Sequence, residues 1–192
     1  PGDTNGTWDI FVKDLQTGAI TRANTATDGT EANDESFHAS ISADGRYVAF
    51  ATTANNLVPG NTNGAFRSSD ILVKDLQTGA ITRANTAADG SQIYLGLNAS
   101  ASIFTDGRYV AFAYGGTGIF IKDIQAGAIT RANTAADGTE ANHNSGFPSI
   151  SADGRYVAFW SQATNLVAGD TNGVLDVFIA PVVFPTQDTD GD

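Results

Sequence analysis

Ser40-Ile41-Ser42-Ala43-Asp44-Gly45-Arg46-Tyr47-Val48-Ala49-Phe50 is the stretch that decides the fold of this chain. A short alternating run, Ser40 to Ser42, meets an Asp-Gly pair, and a run rich in strand formers, Arg46 to Phe50, follows it. Asp-Gly between two such runs is the strongest short-range signal for a β-hairpin, because a two-residue primed turn needs positive φ at both central residues. The stretch returns at Ser149–Phe159 almost letter for letter, and at Ala101–Phe112 with Phe104 and Thr105 before Asp106-Gly107. Three copies of one hairpin set the frame.

A second hairpin alternates with the first. A strand expected over Asp9–Leu15 turns at Gln16-Thr17-Gly18 and returns through Ala19 to Asn24; copies lie at Asp70–Asn85 and Gly118–Asn133, where Ala126 replaces the Thr. We call the strands of the Asp-Gly hairpin A and B, and those of the Thr-Gly hairpin C and D. The long B–C loop of Thr52–Ser69 and of Ser161–Leu175 shrinks to Tyr114-Gly115-Gly116-Thr117 in the middle repeat. Four strands in a period of roughly 45–60 residues predict a β-propeller blade. The B and C strands carry nearly continuous apolar runs (Tyr47–Ala51, Ile119–Ile121, Val177–Ile179), as sheets covered on both faces require. No long segment has apolar residues at helical spacing, so helix should be scarce.

The expected class is therefore all-β, with four-stranded antiparallel blades, about three and a half of them. Residues 1–25 form a half blade of strands C and D, 26–86 a blade, 87–134 a blade with a shortened B–C loop, 135–185 a blade, and 186–192 an acidic tail. Val182-Val183-Phe184 is offered as the last D strand, at most an edge strand between Pro181 and Pro185. The two ends do not complement each other, since both supply a C strand. Such an arc is expected to be open, or completed in trans, and exposed sheet edges invite head-to-tail pairing with other copies.

The pattern S-x-D-G-R-Y-V-A-F, then A-T-N-L-V-x-G-D-T-N-G-x-x-D-V-F, then D-x-x-T-G-x-x-T-R resembles the TolB-like, or PD40 (WD40-like), β-propeller repeats. The resemblance spans roughly Gly2 to Ile179. It implies a bacterial secreted or surface protein, and a role as binding platform, scaffold or accessory domain of a peptidase rather than one fixed activity.

Composition narrows the function further. The formal charge is −11 over 192 residues, which argues against nucleic acid and anionic membranes as partners. The absence of cysteine excludes a disulfide framework and thiolate metal sites. No apolar run approaches membrane-spanning length, so membrane insertion is not expected. No methionine occurs even at position 1, and the acidic tail Asp188-Thr189-Asp190-Gly191-Asp192 looks like the opening of a calcium-binding repeat; both read as marks of a processed or excised piece.

Strands alternate in direction, so the long B–C and D–A loops share one face, where binding function is expected. There the B–C loop reads Asp3-Thr4-Asn5-Gly6 before Asp9 and Asp170-Thr171-Asn172-Gly173 before Asp176. A weaker form, Asn61-Thr62-Asn63-Gly64, precedes Asp70. Oxygen donors on alternate residues, a Gly for a sharp turn and a later carboxylate suit Ca²⁺. The same residues also make Asx-turns that open the loop and lead into strand C. The candidate metal ligands are therefore Asp3, Asn5, Asp9, Asn61, Asn63, Asp70, Asp170, Asn172 and Asp176, with Ca²⁺ as the expected ion. Glu31, Asp34 and Glu35 of a D–A loop are a further cation or sugar candidate, against the simpler reading of a solvated acidic loop.

Little else points to chemistry. His38 and His143 sit at different repeat positions without a second ligand nearby, and Trp8 and Trp160 read as core residues before sugar platforms. Asp75 with Arg83, Asp123 with Arg131, and Lys13-Asp14 with Arg22 are expected to pair between strands. Asp44, Asp106 and Asp153 with Arg46, Arg108 and Arg155 read as turn residues with local or inter-blade ion pairs. Asn5-Gly6-Thr7 and Asn98-Ala99-Ser100 match glycosylation sequons. Because nearly every conspicuous Asp, Arg and Ser recurs in another repeat, no single catalytic constellation stands out. The sequence thus reads as a non-catalytic, extracellular structural or binding module stabilised by Ca²⁺ and able to self-assemble. A carbohydrate-binding module, or the propeller of a larger peptidase or lyase, is the alternative.

Overall fold

The computed structural model of the chain describes residues 3–61, 68–96 and 99–184. Asn63, the sequon asparagine Asn98 and the acidic tail lie outside the described residues. Those described form β-strands and no helix. β1 (Phe11–Lys13) and β2 (Ile20–Arg22) make a half blade; β3 (Ser36–Ile41), β4 (Tyr47–Thr52), β5 (Asp70–Asp75) and β6 (Ile81–Arg83) make the first full blade. The second contains β7 (Ala101–Ile103), β8 (Tyr109–Tyr114), β9 (Gly118–Asp123) and β10 (Ile129–Arg131), and the third contains β11 (Ser145–Ile150), β12 (Tyr156–Ser161) and β13 (Asp176–Pro181). Each blade is an antiparallel meander, and the four sheets form an arc that does not close.

The apolar runs do what the reading of the B and C strands requires. β5 is buried along its whole length. Its alternate residues face different neighbours: Leu72 packs with Ile10, Ala23 and Phe50 toward the half blade, while Ile71 and Val73 pack with Val110 and Phe112 toward the second blade. A third apolar layer, with Ala111, Ile119, Ile121, Val157 and Phe159, joins the second and third blades. On β13 the face that no blade covers leaves Val177 and Ile179 exposed.

The Asp-Gly turn differs from the expected primed type. Ser42 N donates to Tyr47 O, so the loop is longer than two residues, and Gly45 has φ +73° while Asp44 stays out of the left-handed region. Asp44 instead caps the turn: its Oδ1 accepts from Ser42 Oγ and from the Arg46 amide. A short acceptor two residues before the amide it caps does the work of the second positive φ.

Two further expectations are corrected. Val182–Phe184 is not a strand; Val182 N donates to Arg155 O, and Phe184 stacks on Tyr109 of the second blade at 5.3 Å between ring centroids. The ion pairs also follow register rather than sequence proximity. Arg83 lies opposite Leu72 and so pairs with Asp70 at the start of strand C, at 3.1 Å. Asp75, at the other end of β5, takes Arg46 from the Asp-Gly hairpin at 2.6 Å, and Asp123 takes Arg108 at 2.7 Å.

One asparagine per unit closes the gap between strands D and C. Asn24, Asn85 and Asn133 are fully buried, and their Oδ1 atoms accept from the amides of Ile10, Ile71 and Ile119. Their Nδ2 groups donate onward: Asn24 to Asp9 and Ser36, Asn85 to Asp70 and Ile93 O, Asn133 to Thr117 O and Ser145. A buried amide with every arm used is affordable only as a fixed joint.

Candidate ligand cleft and cation loops

The innermost strands β3, β7 and β11 carry the feature that the sequence did not reveal. β3 has a bulge between Phe37 and Ser40, and β11 has one between Gly146 and Ser149; β7 pairs without one. The bulges hold His38 at φ +53° and Phe147 at φ +48°, a backbone region that costs a side-chain-bearing residue about 1–2 kcal/mol. Bulges re-aim side chains. Here the two rings converge from different blades, 6.2 Å apart, and Phe147 continues to Trp160 at 6.3 Å. His38 Nδ1 lies 3.0 Å from Ala99 O, which fixes its ring.

Behind these rings is a cleft of about 510 Å³ on the long-loop face, with Gly115, Gly116 and Asn144 on its far side. The floor under Trp160 is Gly146, its cross-strand partner, where a Cβ would stand 2.8 Å from the indole. The first blade holds the reverse pair, Phe37 opposite Ala51, so bulk has moved from strand A to strand B. Trp160 is half-buried, and Phe147 is exposed. Trp8, expected in the core, is instead 68% exposed and lies outside this cleft. No aspartate, glutamate, lysine or arginine lines the cleft among the described residues.

The proposed calcium ligands fall into three different settings. In the first loop the carboxylates of Asp3, Asp9 and Glu31 each bring an oxygen to within 4.8 Å of the others. Arg22 stands among them, 3.2 Å from Asp9 and ion-paired with Glu31. Asn5 has its oxygen committed elsewhere: its Oδ1 accepts from the Thr7 amide at 2.7 Å, while its Nδ2 donates to Ala32 O and, at 3.3 Å, to Asp9. Glu31 also accepts from Thr4, and these bonds, ahead of Arg22, hold its carboxyl below the usual carboxylate range. It joins Asp3 and Asp9 rather than Asp34 and Glu35, because the Thr25–Glu31 bridge returns it beside strand D. The recurrence of Gln92 and Glu140 in the matching bridges was the available signal.

In the second loop Asn61 Nδ2 donates to Ala54 O. Asp70 is fully buried and accepts from Asn85, Gln92 and Arg83, which commits its oxygens to the joint. In the third, Asn172 Oδ1 accepts from Val174 N and its Nδ2 donates to Asp176 at 3.0 Å, beside Asp170 in an open hollow. The strand-D arginine that accompanies Asp9 and Asp70 has no counterpart among the described residues of this blade.

No protein-family model matches the chain, and no curated protein does. Solved structures are similar to it in fold. TolB from Acinetobacter baumannii matches with TM-score 0.50 at 20% identity, over 90% of this chain and 38% of that one. The tricorn protease matches with TM-score 0.50 at 17% identity, over 81% of this chain and 13% of that one. A prolyl endopeptidase matches with TM-score 0.53 at 13% identity, over 89% and 24%. The chain thus spans less than two fifths of the length of each. At these identities the likeness establishes a TolB-like β-propeller fold, and the activities of those proteins remain theirs.

Proposed function

We propose that this arc of a TolB-like β-propeller is a non-catalytic binding module of an extracellular protein, and that its ligand is a neutral sugar ring held in the cleft between His38, Phe147 and Trp160. The observation that carries the reading is the cleft itself. It presents two aromatic faces, an imidazole and an amide, with no carboxylate, on a chain of charge −11. Aromatic faces take the C–H faces of a sugar, and Asn144, His38 and the backbone of Gly115 and Gly116 offer polar partners to hydroxyls. His38 has no carboxylate beside it and its Nδ1 lies against Ala99 O, and of the two serines in the lining Ser145 is committed to Ser161, which supports binding rather than hydrolysis. The two strained residues also suit a site held ready before the ligand arrives.

The test is a calorimetric titration with a panel of neutral oligosaccharides. Binding that Trp160→Ala weakens by about tenfold or more, and that Trp8→Ala leaves intact, is the expected result. A panel with no binder, or equal binding by both variants, would remove the reading.

Calcium is a second reading, favoured by the third loop, where Asp170 and Asp176 stand near each other without an arginine. A melt in millimolar Ca²⁺ should exceed one in chelator, by up to about 2.7 kcal/mol at a hundredfold excess over Kd. Asp170→Ala should remove that gain, and Asp3→Ala should change it less because Arg22 already occupies Asp9 and Glu31 in the first cluster. A Ca²⁺ effect equal to that of Mg²⁺, or untouched by Asp170→Ala, would return these loops to ordinary turns.

A further inference from the structure

The chain has three lysines, Lys13, Lys74 and Lys122, all at the same place near the end of strand C. Two of them reach back into the preceding unit. Lys74 Nζ donates to Thr25 O and Ala26 O at 2.9 and 3.1 Å, and to Gly79 O of its own blade at 2.7 Å. Lys122 repeats this with Thr86 O, Ala87 O and Gly127 O at 3.0, 3.4 and 2.7 Å. Both lysines are buried. Three ammonium protons meet three carbonyls, so the cradle replaces the water that each charge gives up.

The receiving turn is built alike after each strand D. Ala26 N donates to Thr30 O, Ala87 N to Ser91 O and Ala135 N to Thr139 O, and a glycine amide returns to Ala26 O, Ala87 O and Ala135 O. Asp28 and Asp137 cap the first and third turns through the amides of Thr30 and Thr139. The third turn, Thr134-Ala135, has no lysine to receive. The residue of β13 in register with Lys74 and Lys122 is Ala180, and between it and the turn lies a cavity of about 450 Å³. That is room for far more than one water, whose share of the liquid is about 30 Å³.

We propose that this cavity is a site for a primary alkylammonium group brought by another molecule, with Thr134 O and Ala135 O as acceptors and Ala132, Ala180 and Val183 along its methylene stem. The two filled cradles identify the ligand, since the same backbone turn holds an alkylammonium in each. Arg131 on the rim does not oppose this, because Arg83 stands at the same place beside the filled Lys122 cradle. Its guanidinium is also committed to Glu140, Asn133 and Thr117 O.

The experiment is an amide NMR titration of the whole chain with n-butylammonium and, separately, with its N-trimethyl analogue, which cannot donate. Saturable shifts at Ala135 and Ala180 with the primary amine, and binding about tenfold weaker or absent with the quaternary one, are the expected result. Cadaverine and an acetyl-lysine amide then separate a free polyamine from a protein side chain as the natural source. Independently of ligand affinity, Ala180→Lys should melt higher than Ala180→Met by about 3–12 °C, the shift for one net charged hydrogen bond in a chain of this size. It should also abolish the titration. Equal melting of the two variants, or shifts that the quaternary ion reproduces, would overturn the proposal.

Discussion

Replacing Asn85 by Ala should be among the most costly single changes in this chain. The side chain is fully buried, so no water replaces what it gives up. Its removal strands the Ile71 amide (3.0 Å) and the Ile93 carbonyl (2.7 Å), and takes from buried Asp70 Oδ1 one of its two amide donors (2.8 Å), leaving Gln92. Two neutral bonds at about 1 kcal/mol each and one to a charged group at about 1.5–3 kcal/mol put the loss near 3–5 kcal/mol. That is a large share of a typical stability of about 5–15 kcal/mol, and it lowers the melting temperature by about 6–20 °C. Asn85→Asp should be no milder, because it sets a second carboxylate against Asp70. Urea unfolding followed by far-UV circular dichroism gives the loss, and hydrogen exchange at the Ile71 amide locates it. Thr82→Ala, on the exposed side of β6, should stay within about 0.5 kcal/mol. If Asn85→Ala costs less than about 1 kcal/mol, the joint is not a closed network and the account of how D meets C fails.

Lys74→Met keeps the stem but leaves three carbonyls facing it, and should cost about 2–3 kcal/mol in urea unfolding, whereas Lys13→Met, at an exposed position, should be near neutral. The Arg46 guanidinium, ahead of the Gln77 and Thr78 amides, holds the Asp75 carboxyl well below the usual carboxylate range, though burial opposes it. Because that folded-state pKa is depressed, its contribution is full above the ordinary value of 3.8 and fades as pH falls below it; a pH series of melts should show Asp75→Asn flattening that acid limb. Gly107→Ala would drive a Cβ into the Tyr47 ring at φ +76°, whereas Gly45→Ala meets open space at φ +73°. Both should lose about 1–2 kcal/mol for the backbone, and Gly107→Ala should lose clearly more in calorimetry.

Much of this architecture was legible because it rests on local signals. The three Asp-Gly stretches and the Thr-Gly turns place nearly every strand, and the apolar runs identify the strands buried on both faces. What escaped depends on neighbours distant in sequence. Nothing in Phe37-His38-Ala39 announces an extra residue, since a bulge is defined against the partner strand; only the two structures of Ser36–Ile41 and Ser145–Ile150, set beside unbulged β7, show it. The arginine pairings failed for the same reason: Arg83 is closer in sequence to Asp75 than to Asp70, but cross-strand register brings it to Asp70. Trp8 shows the limit of treating an aromatic beside a strand as core, because burial requires a covering surface as well as a hydrophobic side chain.

The lysine cradle has a consequence for how such a chain can grow. The two four-stranded blades each carry a plug for the unit before and a socket turn for the unit after, both made largely of features that repeat unchanged. A tandem duplication of one unit would therefore arrive already fitted to its neighbours, with no second change needed to seat it. The B–C loops take no part in that fitting, and the middle unit has lost most of its own without disturbing its plug or its socket turn. Length and recognition surface can thus change separately, the first by copying and the second by substitution.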